Sequence, residues 1–256
     1  MAVSMFDLTG KVALVTGGNG GIGLGMAKAM AQAGADICVW GRKPEANAKA
    51  EEELKAFGTK VLALQCDVSN EEQVNACFAE AVDKLGKVDA CFANAGVGAR
   101  GTPFHKTTTE EWNQIMSINL DGVFYTFRAA ARHMVERGEG GSLVATSSLS
   151  AISGMARGEH YASTKGALLS MCRGLAVEYG KYGIRANAII PGWIETSITD
   201  GWFETEGFQK KVLPRIPARR WGQPEDFGGI AVYFASDASA YHSGDMVIID
   251  GAYINF

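Results

Sequence analysis

Short runs in which nearly every residue is apolar alternate along this chain with longer stretches whose apolar residues recur every three or four positions. The runs cover 11–16, 36–40, 61–65, 88–93, 142–147 and 185–190, and the periodic stretches cover 22–33, 45–57, 71–85, 110–137 and 161–182. A strand apolar on both sides is one buried on both faces, as happens when helices cover a parallel sheet. Strand, helix, strand, helix therefore predicts a doubly wound α/β fold with a parallel sheet, helices on both faces and right-handed crossovers. No linker, internal repeat or low-complexity stretch divides residues 1–256, so one domain is expected. Residues 193–221 break the rhythm between the sixth strand and a helix starting near Glu225, and they hold Trp193, Trp202, Phe203, Phe208 and Trp221. Loops beyond the strand ends of open α/β sheets form ligand sites, which makes this segment a substrate-lid insertion; plain packing of the aromatics into the core is the alternative.

Composition narrows the function. At 47% hydrophobic and 20% charged residues, with a net charge of −4, the chain has ample core material and no global attraction for nucleic acid or an anionic membrane. Neither is expected as a partner. Cys38, Cys66, Cys77, Cys91 and Cys172 are odd in number and scattered, which suggests reduced thiols rather than a disulfide framework or a zinc site. The four histidines, His105, His133, His160 and His242, lack metal-ligand spacing, so no metal is expected. The first residues show no basic segment leading into an apolar one, and no run reaches 18 apolar residues. A soluble, cytoplasmic protein is the expectation.

The stretch TGGNGGIG, residues 16–23, follows the first predicted strand and opens the first predicted helix. Glycines at 17, 21 and 23 permit a tight turn, close approach of a phosphate and tight packing of helix on strand. Free N–H groups and the positive end of the helix dipole would stabilise the phosphate charge. A purely structural turn would also accommodate such glycines.

Further along come CDV at 66–68, NAG at 94–96, SINLDG at 117–122, SS at 147–148, YASTK at 161–165 and PGWIET at 191–196. In this order and spacing, and over essentially the whole chain, the sequence resembles the short-chain dehydrogenase/reductase family, with a Rossmann-type fold. The resemblance is about equal to its 3-oxoacyl-carrier-protein reductase and gluconate 5-dehydrogenase branches, notably over IPARRWGQPEDFGG at 216–229. It implies cofactor contacts from Gly17, Asn19, Gly21, Ile22 and Gly23 in the turn, and from Asp67 and Val68 at the adenine ring. It also implies contacts from Asn94, Ala95 and Gly96 after the fourth strand, and from Pro191, Gly192, Ile194 and Thr196 near the nicotinamide. A homotetramer is implied as well, although the ending DGAYINF departs from the D-G-G common at that place.

The catalytic spacing makes physical sense. Tyr161 and Lys165 are four apart on a predicted helix and share a face, so an ammonium would stand near a phenol. The resemblance makes Tyr161 the general acid in carbonyl reduction and the base in alcohol oxidation. Lys165 would lower its pKa and bind the nicotinamide ribose, Ser148 would hold the carbonyl oxygen, and Asn119 would support a water leading from Lys165 to solvent. After the second strand, Gly41 stands where an acid would bind a 2′-hydroxyl, and Arg42 and Lys43 follow. Two cations attract a 2′-phosphate, so NADP is expected, with Arg42 as the main contact; NAD stays open because a missing acid permits NADP without compelling it.

The expected activity is hydride transfer between NADP(H) and a small carbonyl or secondary alcohol. A sugar or polyol dehydrogenase using NAD(H), a lyase or epimerase on the same fold, and a nucleotide-binding sensor are the rival readings. Trp193, Trp202 and Phe203 suggest an apolar or ring-shaped substrate pocket. Arg215, Arg219 and Arg220 suit an acidic carrier or a carboxylate, or pairing with Glu204 and Glu206.

Overall fold

Apolar strands need cover on both sides, and the sheet obtains it. A computed structural model describes residues 4–256 except Ile198, Asp200 and Trp202. Seven parallel strands lie in the order β3-β2-β1-β4-β5-β6-β7, with β1 Val12–Thr16, β2 Asp36–Gly41, β3 Val61–Gln65, β4 Ala90–Ala93, β5 Gly141–Thr146, β6 Ile184–Pro191 and β7 Met246–Ile249. Successive side chains point to opposite faces, so one strand feeds two cores. Leu14, Cys38, Trp40 and Cys91 pack on one side, with the helices α3 Glu71–Leu85, α5 Gly122–Arg137 and α6 Glu159–Tyr179. Ala13, Val15, Ile37 and Val39 pack on the other, with α1 Gly21–Gln32 and α8 Gly228–Ala235. The remaining helix on that flank, α2 Pro44–Lys55, runs from β2 to β3. Each fully buried leucine or phenylalanine, such as Leu14 and Phe92, contributes roughly 1.5–3 kcal/mol.

The order of the strands reverses between β1 and β4. The chain leaves β1 toward one edge and, after β3, returns to pair β4 with β1, so the connections diverge there and leave a crevice at the carboxyl edge. The residues expected to bind the cofactor and carry the catalysis lie at or near that edge.

One predicted helix is divided. Residues 110–137 form α4 Thr109–Met116, a π-helical turn Ser117–Asp121, and α5. Thr108 starts α4 by accepting from the Glu111 N–H. Within the π turn, Asn119 aims its amide at the Val97 backbone, and Gly122 lies so close to Val68 that a Cβ would fall 2.8 Å from Val68 Cγ2. The π turn accommodates both contacts, and such turns are frequent at functional sites. The helix expected near Glu225 begins as a 3₁₀ turn, Pro224–Phe227, and continues as α8. All five cysteines are free and buried. Among the described residues no helix is long and apolar enough to cross a membrane.

The departure at the C-terminal end has a visible cost. Ala252, where the resemblance leads one to expect glycine, has φ +70°, a left-handed conformation that an L side chain resists. Ala252→Gly is expected to stabilise the protein by about 0.5–1 kcal/mol in urea unfolding; a decrease would show that the turn carries no such strain.

Candidate active site

The glycine turn leaves β1 with Gly17 at φ +65° and enters α1 with Gly21 at φ +49°, so both positions require glycine. Gly23 does not line the cavity. It packs beneath the turn, where a Cβ would fall 2.4 Å from the Gly17 carbonyl oxygen and 2.5 Å from Asn94 Nδ2. Its expected cofactor contact is therefore replaced by a packing role. Gly20, the N-cap of α1, has no side-chain cap bond and open space where a Cβ would be. The first N–H groups of this 12-residue helix thus face a cavity, an arrangement suited to an anion.

That cavity has a volume of about 910 Å³ and runs along the carboxyl edge of the sheet. At one end it is lined by Asn19, Gly41, Arg42, Lys43, Asp67 and Val68, in its middle by Gly17, Gly21 and Ile22, and along its wall by Asn94, Ala95 and Gly96. At the other end it is lined by Ser148, Tyr161, Lys165, Pro191, Gly192, Ile194 and Thr196. Every expected site residue except Gly23 and Asn119 therefore lines it. Neither Arg42 nor Lys43 pairs with a carboxylate among the described residues, and both are exposed. The Asp67 carboxylate accepts from the Ser69 N–H at 3.0 Å and its hydroxyl at 2.7 Å, which fixes the turn after β3.

Asn119 lies behind the wall, fully buried. Its Oδ1 accepts from the Val97 N–H and its Nδ2 donates to the Val97 carbonyl, each at 2.9 Å. The side chain holds the loop after β4, with Gly96 close by: a Cβ on Gly96 would fall 3.2 Å from Asn119 Oδ1 and 3.5 Å from Lys165 Nζ. Asn119 thus sits beside Lys165 through the thickness of one glycine.

Tyr161 and Lys165 share a face of α6, with Lys165 Nζ 5.6 Å from the Tyr161 ring centroid. The ammonium donates to the Thr146 carbonyl at 2.8 Å, and burial pushes its pKa down to about 8. Burial also pushes the Tyr161 phenol up, and a hydrogen bond with Ser148 opposes the rise. The expected lowering by Lys165 is not found in the protein alone: burial sets the direction, and Ser148 is the group that opposes it. At neutral pH Tyr161 is a protonated donor standing beside the Ser148 hydroxyl.

The segment 193–221 differs from the expected aromatic pocket. Phe203 stacks on Trp221 with centroids 4.1 Å apart and planes 3° from parallel, and Trp193 meets Phe208 edge-on at 5.2 Å. Trp193 and Phe203 pack with neighbouring rings and do not line the cavity, whereas Ile194, Thr196, Ser197 and Thr199 do; Trp202 lies outside the described residues. Ring-to-ring packing removes more apolar area from water than a polar cavity would allow. None of the three arginines pairs with Glu204 or Glu206 among the described residues. Arg220 makes a bidentate pair with Asp226 at 2.6 and 2.8 Å, Arg219 donates to the Pro214 carbonyl at 3.0 Å, and Arg215 lies over the Tyr253 ring at 4.5 Å.

The structure adds three contributors. Thr146 holds Lys165 through a backbone carbonyl, which has no sequence signal. Arg100 lines the cavity four residues after Gly96, and Asn47 underlies its Arg42 end. Arg100 was detectable as a cation closely following NAG; Asn47 on a polar helix was not.

The family model described as "Enoyl-(Acyl carrier protein) reductase" matches residues 17–253. The chain belongs to the short-chain dehydrogenase/reductase family. Among relatives, it is 39% identical to an L-rhamnose-1-dehydrogenase of Scheffersomyces stipitis, over 95% of this chain and 96% of that protein. It is 35% identical to a 2-dehydro-3-deoxy-D-gluconate 5-dehydrogenase of Dickeya dadantii, over 99% of both chains. A crystal structure of a gluconate 5-dehydrogenase from Burkholderia cenocepacia J2315, in complex with NADP and tartrate, superposes with a TM-score of 0.94 at 33% identity and covers 100% of both chains. This short-chain dehydrogenase/reductase is thus an oxidoreductase by family, and its relatives include proteins named for acidic and for neutral sugars.

Keeping Lys165 buried costs stability. Its pKa is about 8 in the fold against 10.5 for the ordinary group, so the unfolded chain binds the extra proton between those values and stability rises with pH across that window. Below pH 8 the full penalty, roughly 3 kcal/mol, is present. Lys165→Met is therefore expected to abolish turnover yet stabilise the protein at pH 7 by about 2 kcal/mol, after loss of the hydrogen bond to Thr146. Thermal unfolding at pH 7 and pH 10 checks this; the gain should shrink at pH 10, and destabilisation at pH 7 would contradict it.

Proposed function

We propose that this protein transfers a hydride between NADP(H) and the carbonyl or secondary alcohol carbon of a small sugar-acid substrate. The observation that carries the reading is one continuous cavity that has an uncapped helix N-terminus in its middle, unpaired cations at one end and Ser148, Tyr161 and Lys165 at the other. The residues fit a dinucleotide: glycines at 17 and 21 leave the backbone open to a pyrophosphate, and Arg42 and Lys43 are available for a 2′-phosphate. Asp67 and Val68 would flank the adenine, and Pro191, Gly192, Ile194 and Thr196 the nicotinamide. NADP supplies or accepts the hydride.

The chain's own residues handle the proton and the oxygen. Ser148 holds the substrate oxygen beside Tyr161, so the phenol stands at the atom that gains negative charge as a carbonyl is reduced. Tyr161 gives up its proton there, and the resulting phenolate is stabilised by the Lys165 ammonium, whose charge is present below about pH 8. In the oxidative direction the same phenolate accepts the alcohol proton. Asn119, through the loop at Gly96 and Val97, holds the floor beneath Lys165, and a water between Asn119 and Lys165 completes the route to solvent.

Arg100 points to the acidic member of the substrate class. It lines the cavity, carries no carboxylate partner among the described residues, and its hydrogen bond to Gln114 Oε1 is 3.4 Å long. A guanidinium so weakly engaged binds a carboxylate in bidentate fashion. The relative named for 2-dehydro-3-deoxy-D-gluconate and the NADP and tartrate complex of the gluconate 5-dehydrogenase accord with this. Segment 193–221, part of the same single domain, serves as the lid over the substrate through Ile194, Thr196, Ser197 and Thr199. A homotetramer formed through α5 and α6 and a cytoplasmic location belong to the same proposal; exposed Phe124 and Val177 suit the first, and five free thiols suit the second.

Loss of absorbance at 340 nm is expected when NADPH is mixed with the protein and 5-ketogluconate, and a slower loss with NADH. Arg100→Ala is expected to lower kcat/KM for 5-ketogluconate by about 10–100-fold, the loss of a charge-assisted pair, while a neutral ketose such as sorbose changes by less than about twofold. Equal losses on both substrates would overturn the carboxylate assignment, and nucleotide binding without consumption of NADPH by any carbonyl would favour the sensor reading.

A further inference from the structure

The Arg42 end of the cavity is built on a buried amide. Asn47, in the first half of α2, is 4% exposed, and its Nδ2 donates to the carbonyls of Gly41 at 2.9 Å and Leu64 at 3.0 Å. Its Oδ1 accepts from Asn19 Nδ2 at 2.7 Å. Two carbonyls can only accept, so the Asn47 amide has one possible orientation, and Asn19 must then turn its NH₂ group toward it. One side chain therefore ties together the glycine turn, the end of β2 and the end of β3.

Gly41 sits inside this knot. A Cβ there would fall 2.1 Å from Asn19 Nδ2 and 2.4 Å from Asn47 Oδ1, so two neutral amides fill the volume that a side chain at 41 would need. Position 41 is where an acid would project to bind a 2′-hydroxyl, and its carbonyl belongs to the peptide that leads into Arg42. The Arg42 carbonyl is itself held by Gln65 Nε2 at 3.2 Å. The backbone that presents Arg42 is thus fixed on both sides, by Asn47 and by Gln65.

We propose that Asn47 is a positioning residue that selects the 2′-phosphorylated cofactor: it orients Asn19, fixes the Gly41–Arg42 peptide and keeps a carboxylate out of position 41. The inference rests on the NADP reading above and adds to it a second device besides the two cations. Arg42 and Lys43 supply attraction, which alone is screened by salt at an exposed site. Asn47 supplies order, so that the groups meeting the phosphate need not be immobilised on binding. Because Asn47 lies at the opposite end of the cavity from Tyr161, its loss should act on nucleotide selection and leave the proton chemistry intact.

Calorimetric titration with 2′,5′-ADP and with 5′-AMP tests this without turnover. The wild type is expected to prefer 2′,5′-ADP by more than about tenfold, and Asn47→Ala to reduce that preference by about tenfold, the effect of one ordered hydrogen bond. Asn19→Ala should reduce it similarly, and the double variant should show little further loss, because the two amides act as one unit. If Asn47→Ala fails to fold, Asn19→Ala on the cavity wall supplies the same readout. A wild type that prefers 2′,5′-ADP, with both single variants keeping that preference within about twofold, would overturn the role of Asn47 and leave the NADP reading standing. A wild type that binds both probes equally would overturn the NADP reading itself.

Discussion

The carboxyl ends of β1, β4 and β5 are held together by one side chain, Asn94, and the site depends on that junction. Its N–H donates to Thr16 Oγ1 at 3.0 Å, its Nδ2 donates to the Thr16 carbonyl at 3.1 Å, and its Oδ1 accepts from the Thr146 hydroxyl at 3.2 Å. The strand order reverses between β1 and β4, and there Asn94, together with the Ala95 N–H that also donates to Thr16 Oγ1 at 3.0 Å, carries the β1–β4 pairing past the strand ends to the glycine turn. Thr146 then passes the constraint on, because its carbonyl receives Lys165 Nζ. Phosphate turn and catalytic helix are thereby kept in register through three residues. The same junction explains Gly23, since any Cβ there would push against Asn94 Nδ2.

Fixing the site has an energetic consequence. Lys165 is 4% exposed and among the described residues its ammonium has a single hydrogen bond, so the fold tolerates a desolvated cation beside a desolvated phenol. A buried charge with one partner is destabilising in the protein alone. In the proposed chemistry that cost becomes useful when a phenolate forms nearby, because opposite charges attract most strongly where water is excluded. Substrate and cofactor would also exclude solvent from the same end of the cavity. The two depend on a scaffold with a large apolar core on each face of the sheet.

Much of this was legible in the sequence for a physical reason. Strands buried on both faces read as unbroken apolar runs, so the α/β order followed directly, and glycines at 17 and 21 mark positive φ that other residues resist. The residues of the cavity wall lie at strand ends, which periodicity locates to within a residue or two. The break at 117–121 was not legible, because Asn119 and Gly122 take their positions from the Val97 backbone and Val68, partners distant in sequence. Asn47 was hidden for the same reason: on a polar helix its burial depends on Gly41 and Leu64. The aromatic residues of 193–221 were visible, but whether rings face a ligand or one another is decided by tertiary packing, and here Phe203 faces Trp221.

The central claim is direct hydride passage at the end of the cavity where Ser148, Tyr161 and Lys165 meet. Its most direct test is the fate of deuterium from NADPH labelled at the nicotinamide C4 position, in a reaction with 5-ketogluconate followed by mass spectrometry of the product. The account predicts one deuterium on the new carbinol carbon from one of the two C4 epimers of the label and none from the other, with solvent supplying only the exchangeable hydroxyl proton through Tyr161. Product free of label from both epimers, or label lost to water, would contradict it.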